Sequence, residues 1–167
     1  MSSNKKKKKN NVKENESKEI DPCSNPVLLF SSYAQFSKSI GFEPHSDVKK
    51  SLTDAENPNC GKQIIIDGSI NSFGPGGCRA LATTVLGRDK KKLQSEENEI
   101  IIYNALQEIR IWKDNIGDYG TMALAELLRL GGSEVKITYL ELINTGISIG
   151  GALALGRSLS CGVRSCF

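Results

Sequence analysis

The sequence predicts an α/β fold: a short solenoid with parallel strands on a concave face, helices on the convex face and a disordered N-terminal tail. Three observations lead there. The second half of the chain resembles itself at a fixed spacing. Within each copy the apolar pattern switches from strict alternation to helical periodicity. The opening segment, in contrast, offers almost nothing that a core could bury.

Residues 1–22 are mostly Lys, Asn, Glu and Ser, the composition of a disordered tail. Seven Lys face three Glu within residues 1–20, whereas 15 basic and 16 acidic residues make up the rest. The folded part is therefore close to neutral, which removes the electrostatic case for a nucleic-acid surface there. Only the Lys5–Lys9 run could hold nucleic acid or act as a nuclear-localisation signal, and a solvated tail is the plainer reading. No apolar stretch approaches the roughly 20 residues of a membrane span. No apolar segment directly follows the lysines, as a secretory signal would require. A cytoplasmic chain, with the nucleus as the alternative, is the expectation. Cys23, Cys60, Cys78, Cys161 and Cys166 are irregularly spaced, with no C-x-x-C pair and a single histidine, so neither a metal site nor a cofactor is predicted.

Residues 23–62 read as a helix and connector that cap one end of the core. Leu29, Tyr33, Phe36 and Ile40 fall at helical spacing, Ser24 or Asn25 can cap the start, and Gly41 can end it. Residues 42–62 are polar, contain Pro44 and Pro58, and leave room for at most a short helix. His45 lies there and reads as a solvated loop histidine.

Residues 63–167 hold the repeats, divided at about 63–105, 106–136 and 137–162. The two later copies align at an offset of 31, pairing Ile109 with Leu140, Ile111 with Leu142, Asp114 with Thr145 and Gly120 with Gly151. Farther along, Leu124 pairs with Leu155 and Leu128 with Leu159. An earlier copy aligns 43 residues before the second through Ile66, Asn71, Phe73, Gly74 and Gly77. There Gly68 falls at an inward apolar place, so this copy reads as degraded, and its extra length falls around Arg88–Glu99. Alternating Ile109/Ile111 and Leu140/Leu142 send each pair to one face of a strand. Asn71, Asp114 and Thr145 would then take an inward polar corner and bond backbone groups freed by the bend. Asp118 can cap a helix whose buried stripe is Leu124, Leu127 and Leu128, and Gly131-Gly132 can stop it.

A strand, the pattern N-x-I-G-x-x-G and an Ala/Leu-rich helix together resemble the ribonuclease-inhibitor-like leucine-rich repeats, most clearly over residues 140–155 and across roughly 63–162. The resemblance implies a solenoid that binds proteins. That family includes a GTPase-activating protein, immune receptors and ciliary proteins. Regulation of a small GTPase, or a structural part in an assembly such as a cilium, are thus the alternatives. No activating residue of the GTPase regulator can be placed on this sequence.

Enzyme motifs fare poorly. The strand and Gly-rich turn at Ile64–Gly77 suggest a phosphate cradle, but no Gly-Lys-Ser/Thr follows and the third glycine of a dinucleotide fingerprint is missing. No catalytic residues are predicted. The candidate site is instead the row of residues that alternate with the inward pairs: Ile65, Asp67 and Ser69, then Glu108, Arg110 and Trp112, then Tyr139, Glu141 and Ile143. Of these, Asp67, Glu108, Arg110, Trp112, Tyr139, Glu141 and Ile143 are predicted to contact a protein partner, with Trp112 beside Ile143 and Tyr139 beside Glu108. A ladder in which Asp67, Arg110 and Glu141 merely neutralise one another is the competing view. After Leu159 the sequence reads Ser-Cys-Gly-Val-Arg-Ser-Cys-Phe without a polar cap, which suggests a truncated array or an end covered by a partner.

Overall fold

Asn25 starts the first long helix, α1 (Pro26–Ser39), in the computed structural model, which describes residues 21–88 and 100–162. Its side-chain oxygen accepts from the Val27 and Leu28 N–H groups, and Pro26 stands where no donor is needed. Leu29 and Tyr33 are buried, Phe36 and Ile40 pack beside them, and Gly41 leaves the helix at φ +83°, as the periodicity predicts. The sequence pattern extends the tail to residue 22, whereas Asp21 already caps a 3-10 turn over Pro22–Ser24. The Lys5–Lys9 run and residues 89–99 lie outside the described residues.

The short helix of the connector is α2 (Ser46–Thr53). His45 precedes it and is only 7% exposed, which corrects the solvated-loop reading. Its Nδ1 accepts from the Asp47 N–H, so the proton sits on Nε2, 3.0 Å from the Asn71 carbonyl. With both ring nitrogens satisfied and the Phe73 ring edge-on at 5.6 Å, burial carries no large penalty.

Three strands, β1 (Gln63–Asp67), β2 (Glu108–Trp112) and β3 (Tyr139–Ile143), pair in parallel in the order β1-β2-β3. Each leads into a helix: α3 (Gly74–Val85), α4 (Gly117–Gly131) and α5 (Ile149–Gly162). The fold is thus mixed α/β, a small parallel sheet with a row of helices packed α3 to α4 to α5. Ile64, Ile66, Ile109 and Ile111 are at most 1% exposed and meet Leu81, Leu124 and Leu127 in the core. Gly132 ends α4 at φ +51°.

The register of β2 on β3 is the predicted offset, Ile109 opposite Leu140 and Ile111 opposite Leu142. The first copy needs correction. Ile66 faces Ile111 rather than Ile109, and Ile64 takes the place opposite Ile109. The turn from β1 to α3 runs Gly68 to Phe73, whereas that from β2 to α4 runs only Lys113 to Ile116. One offset therefore cannot align both strand and helix. Gly68 is no lost core residue. It follows the strand, donates to the Trp112 carbonyl, and a Cβ there would fall 2.6 Å from the Lys113 carbonyl oxygen. Ser69 also lies beyond β1.

Candidate functional site

The polar corners link one unit to the next. Asp114 is 1% exposed, and its two carboxylate oxygens accept from the Phe73 N–H at 2.6 Å and the Gly74 N–H at 2.7 Å, at the start of α3. Charge and free donors meet where the helix dipole favours an anion. Thr145 is buried at the equivalent place one unit later, but Asn71 is exposed and fills no corner. Asp118 does not cap its own helix. It accepts from the Ser148 N–H at 2.8 Å and hydroxyl at 2.5 Å, and so holds the start of α5. Those two bonds hold its carboxyl below the usual carboxylate range.

The joined units present the outward strand positions on the face away from the helices. The parallel register ranks them as Gln63–Glu108–Tyr139, Ile65–Arg110–Glu141 and Asp67–Trp112–Ile143. Trp112 is thus beside Ile143 and Tyr139 beside Glu108, as the sequence predicts. The Arg110 guanidinium binds Glu108 at 3.0 Å, approaches Glu141 at 3.9 Å and lies 4.8 Å over the Tyr139 ring. The Tyr139 hydroxyl donates to Glu141 at 3.1 Å, and the Gln63 amide donates to Glu108 at 2.5 Å. One network therefore spans all three strands. Glu108 and Arg110 remain about one-third exposed, so their pair is worth no more than about 1 kcal/mol. The arrangement fixes the orientation of the side chains more than it adds stability.

Asp67 stands apart from this network. It accepts from the Ser69 N–H at 3.0 Å and hydroxyl at 2.6 Å, which lowers its carboxyl below the ordinary value. Gln63 belongs to the network but is missing from the sequence-derived set. Its signal was the alternation with Ile65 and Asp67, visible once β1 starts in register. The Trp112 indole N–H is shielded from solvent and finds no acceptor among the described residues. Tyr139 and Ile143 are nearly half exposed at the β3 side of the face.

Other chemistry is sparse. Burial pushes the Cys78 thiol far up, the reverse of an activated nucleophile. Burial likewise raises the Tyr103 hydroxyl to about 12, where it donates to the Gly61 carbonyl. Among the described residues there is no cluster of three or more His, Cys, Asp or Glu side chains placed to hold a metal ion. No described helix is long and apolar enough to cross a membrane. A concavity of about 760 Å³ lies on the helix side, lined by Phe42, Arg79, Tyr119, Met122 and Glu126, away from the Arg110 network. In comparisons with known proteins, the sequence matches no protein-family model and no curated protein significantly.

Proposed function

We propose that the chain is a short leucine-rich-repeat-like array that serves as a non-catalytic protein-binding module, a scaffold whose sheet face receives the partner. The supporting observation is the fixed cluster of Arg110, Tyr139, Glu108 and Glu141 with Trp112 and Ile143 beside it. Arginine and aromatic residues held in one geometry lose little conformational freedom on binding, and such residues dominate interface energetics. The repeat reading draws on the constant offset from β2 to β3 and on the Asp114 and Asp118 links, which tie each unit to its neighbour.

The double substitution Trp112→Ala with Arg110→Glu removes the partly buried indole beside Ile143 and reverses the central charge. Partner capture in a pull-down is expected to be lost while the circular dichroism spectrum and melting temperature stay close to wild type. Retention of every partner by the folded double variant would refute the assignment of this face.

A further inference from the structure

The outward positions of the sheet carry more negative charge than they neutralise. Each strand contributes one carboxylate, Asp67, Glu108 and Glu141, and Arg110 is the single cation among them, which leaves a net charge of −2. Asp47 and Lys113, the next charges beside Asp67, offset each other. Only one oxygen of each carboxylate is engaged. Glu108 Oε2 accepts from Gln63 and Arg110, Glu141 Oε2 from Tyr139, and Asp67 Oδ1 from Ser69. Among the described residues, Glu108 Oε1, Glu141 Oε1 and Asp67 Oδ2 accept no hydrogen bond.

The chain supplies the opposite charge from a place that can reach this face. Residues 1–20 hold seven Lys and three Glu. The Cys23 carbonyl accepts from the Asn104 N–H at 2.9 Å, which ties the start of the described chain to the segment leading into β2. Asn104 precedes Glu108 by four residues, so at most about 14 Å separates them. Lys9 is 14 residues before Cys23, a span of up to about 50 Å.

We propose that the chain's own lysine run, Lys5–Lys9, occupies the sheet face when no partner does, held by Glu108, Glu141 and Asp67. This rests on the reading of that face as a binding surface and names what regulates it. The spacing suits an extended segment, in which alternate side chains share a side about 7 Å apart, so Lys5, Lys7 and Lys9 offer three ammonium groups over about 13 Å. On the face, Glu141 stands one strand over and two residues along from Glu108, roughly 8 Å away. Asp67 stands one strand to the other side and four along, roughly 14 Å away. The flexible lysine stems take up the remaining mismatch. Exposed pairs are individually weak, and tethering holds the run near the face at an effective concentration on the order of millimolar. Occupancy is therefore reversible, and a tightly binding partner displaces the run.

Energy transfer from Trp112, the single tryptophan, to a dansyl group on the Met1 amine of the full chain tests this. Near neutral pH the α-amine reacts ahead of the lysines because its pKa is lower. Docking brings the dye to the face, so transfer should be high at about 20 mM salt and fall about twofold at about 500 mM, where screening removes the pairs. An undocked cationic tail gives the opposite sign, because its lysines repel one another at low salt and relax as salt rises. Replacing every lysine of the Lys5–Lys9 run by Gln should abolish the fall, and Glu108→Gln with Glu141→Gln should lower transfer at low salt. Carbodiimide coupling, which joins an amine to a contacting carboxylate with loss of water, should link the run to Glu108, Glu141 or Asp67 within one chain. Transfer that rises with salt or ignores it, or coupling from the run that reaches none of these three carboxylates, would overturn the proposal. Neither measurement includes a partner, so their failure leaves the pull-down with Trp112→Ala and Arg110→Glu as a separate test of the face.

Discussion

The two ends of the strand–helix row are built from similar sequence and finished differently. At β1 the edge donors are met by Ser51 and Asp47, α1 covers α3, and Ile64 and Ile66 are fully buried. At β3 the same inward places, Leu140 and Leu142, remain half-buried, and Ile143, Ile149 and Leu159 face outward. The difference shows that a strand–helix unit buries its core only when both sides are covered, one by the preceding unit and one by whatever follows. Stability should therefore fall from the first two units toward the third.

The largest expected effect tests the links between units. Asp114→Ala leaves the Phe73 and Gly74 N–H groups buried without an acceptor and should lower stability by about 3 to 4 kcal/mol. Thr145→Ala, at the equivalent corner of the last unit, should cost less than about 1 kcal/mol. Urea denaturation of both variants measures the gap, and equal losses would break the comparison. Next comes the core itself. Ile109→Ala should cost about 3 kcal/mol and Leu140→Ala about 1 kcal/mol, because a half-exposed side chain removes less apolar area from water and leaves a cavity open to solvent.

The smallest effect is a pH dependence at the last junction. Hydrogen bonds from Ser148 lower the folded-state pKa of Asp118. The stabilisation they bring is present above the ordinary carboxylate value and is lost as pH falls through the folded-state pKa. Ser148→Ala removes the hydroxyl donor, so an NMR titration should find the Asp118 pKa shifted upward. An unchanged value would mean that the side-chain bond at 2.5 Å is not what holds the carboxylate ionised.

Much of this architecture was legible from local pattern. Alternation at Ile109/Ile111 and Leu140/Leu142, read with the common offset, located two strands and their register. The α1 stripe and the Arg110–Trp112–Tyr139 grouping followed from the same periodicities. What escaped depended on groups distant in sequence. His45 is buried because the Asn71 carbonyl and the Phe73 ring receive it, and no local pattern announces that. Asp118 resembles a cap for its own helix, yet its acceptors serve Ser148 of the next unit. The 43-residue offset sets the first strand two residues late because the turn after it is longer than its counterpart. That shift also hid Gln63, which joins the network on the face.

Trp112 is the only tryptophan in the chain, so its fluorescence reports directly on the face proposed to bind. A partner captured by the wild-type chain should shift Trp112 emission to shorter wavelength and shield it from acrylamide quenching, in step with binding measured independently. Saturable binding that leaves both the emission and the quenching unchanged would contradict the assignment of the sheet face.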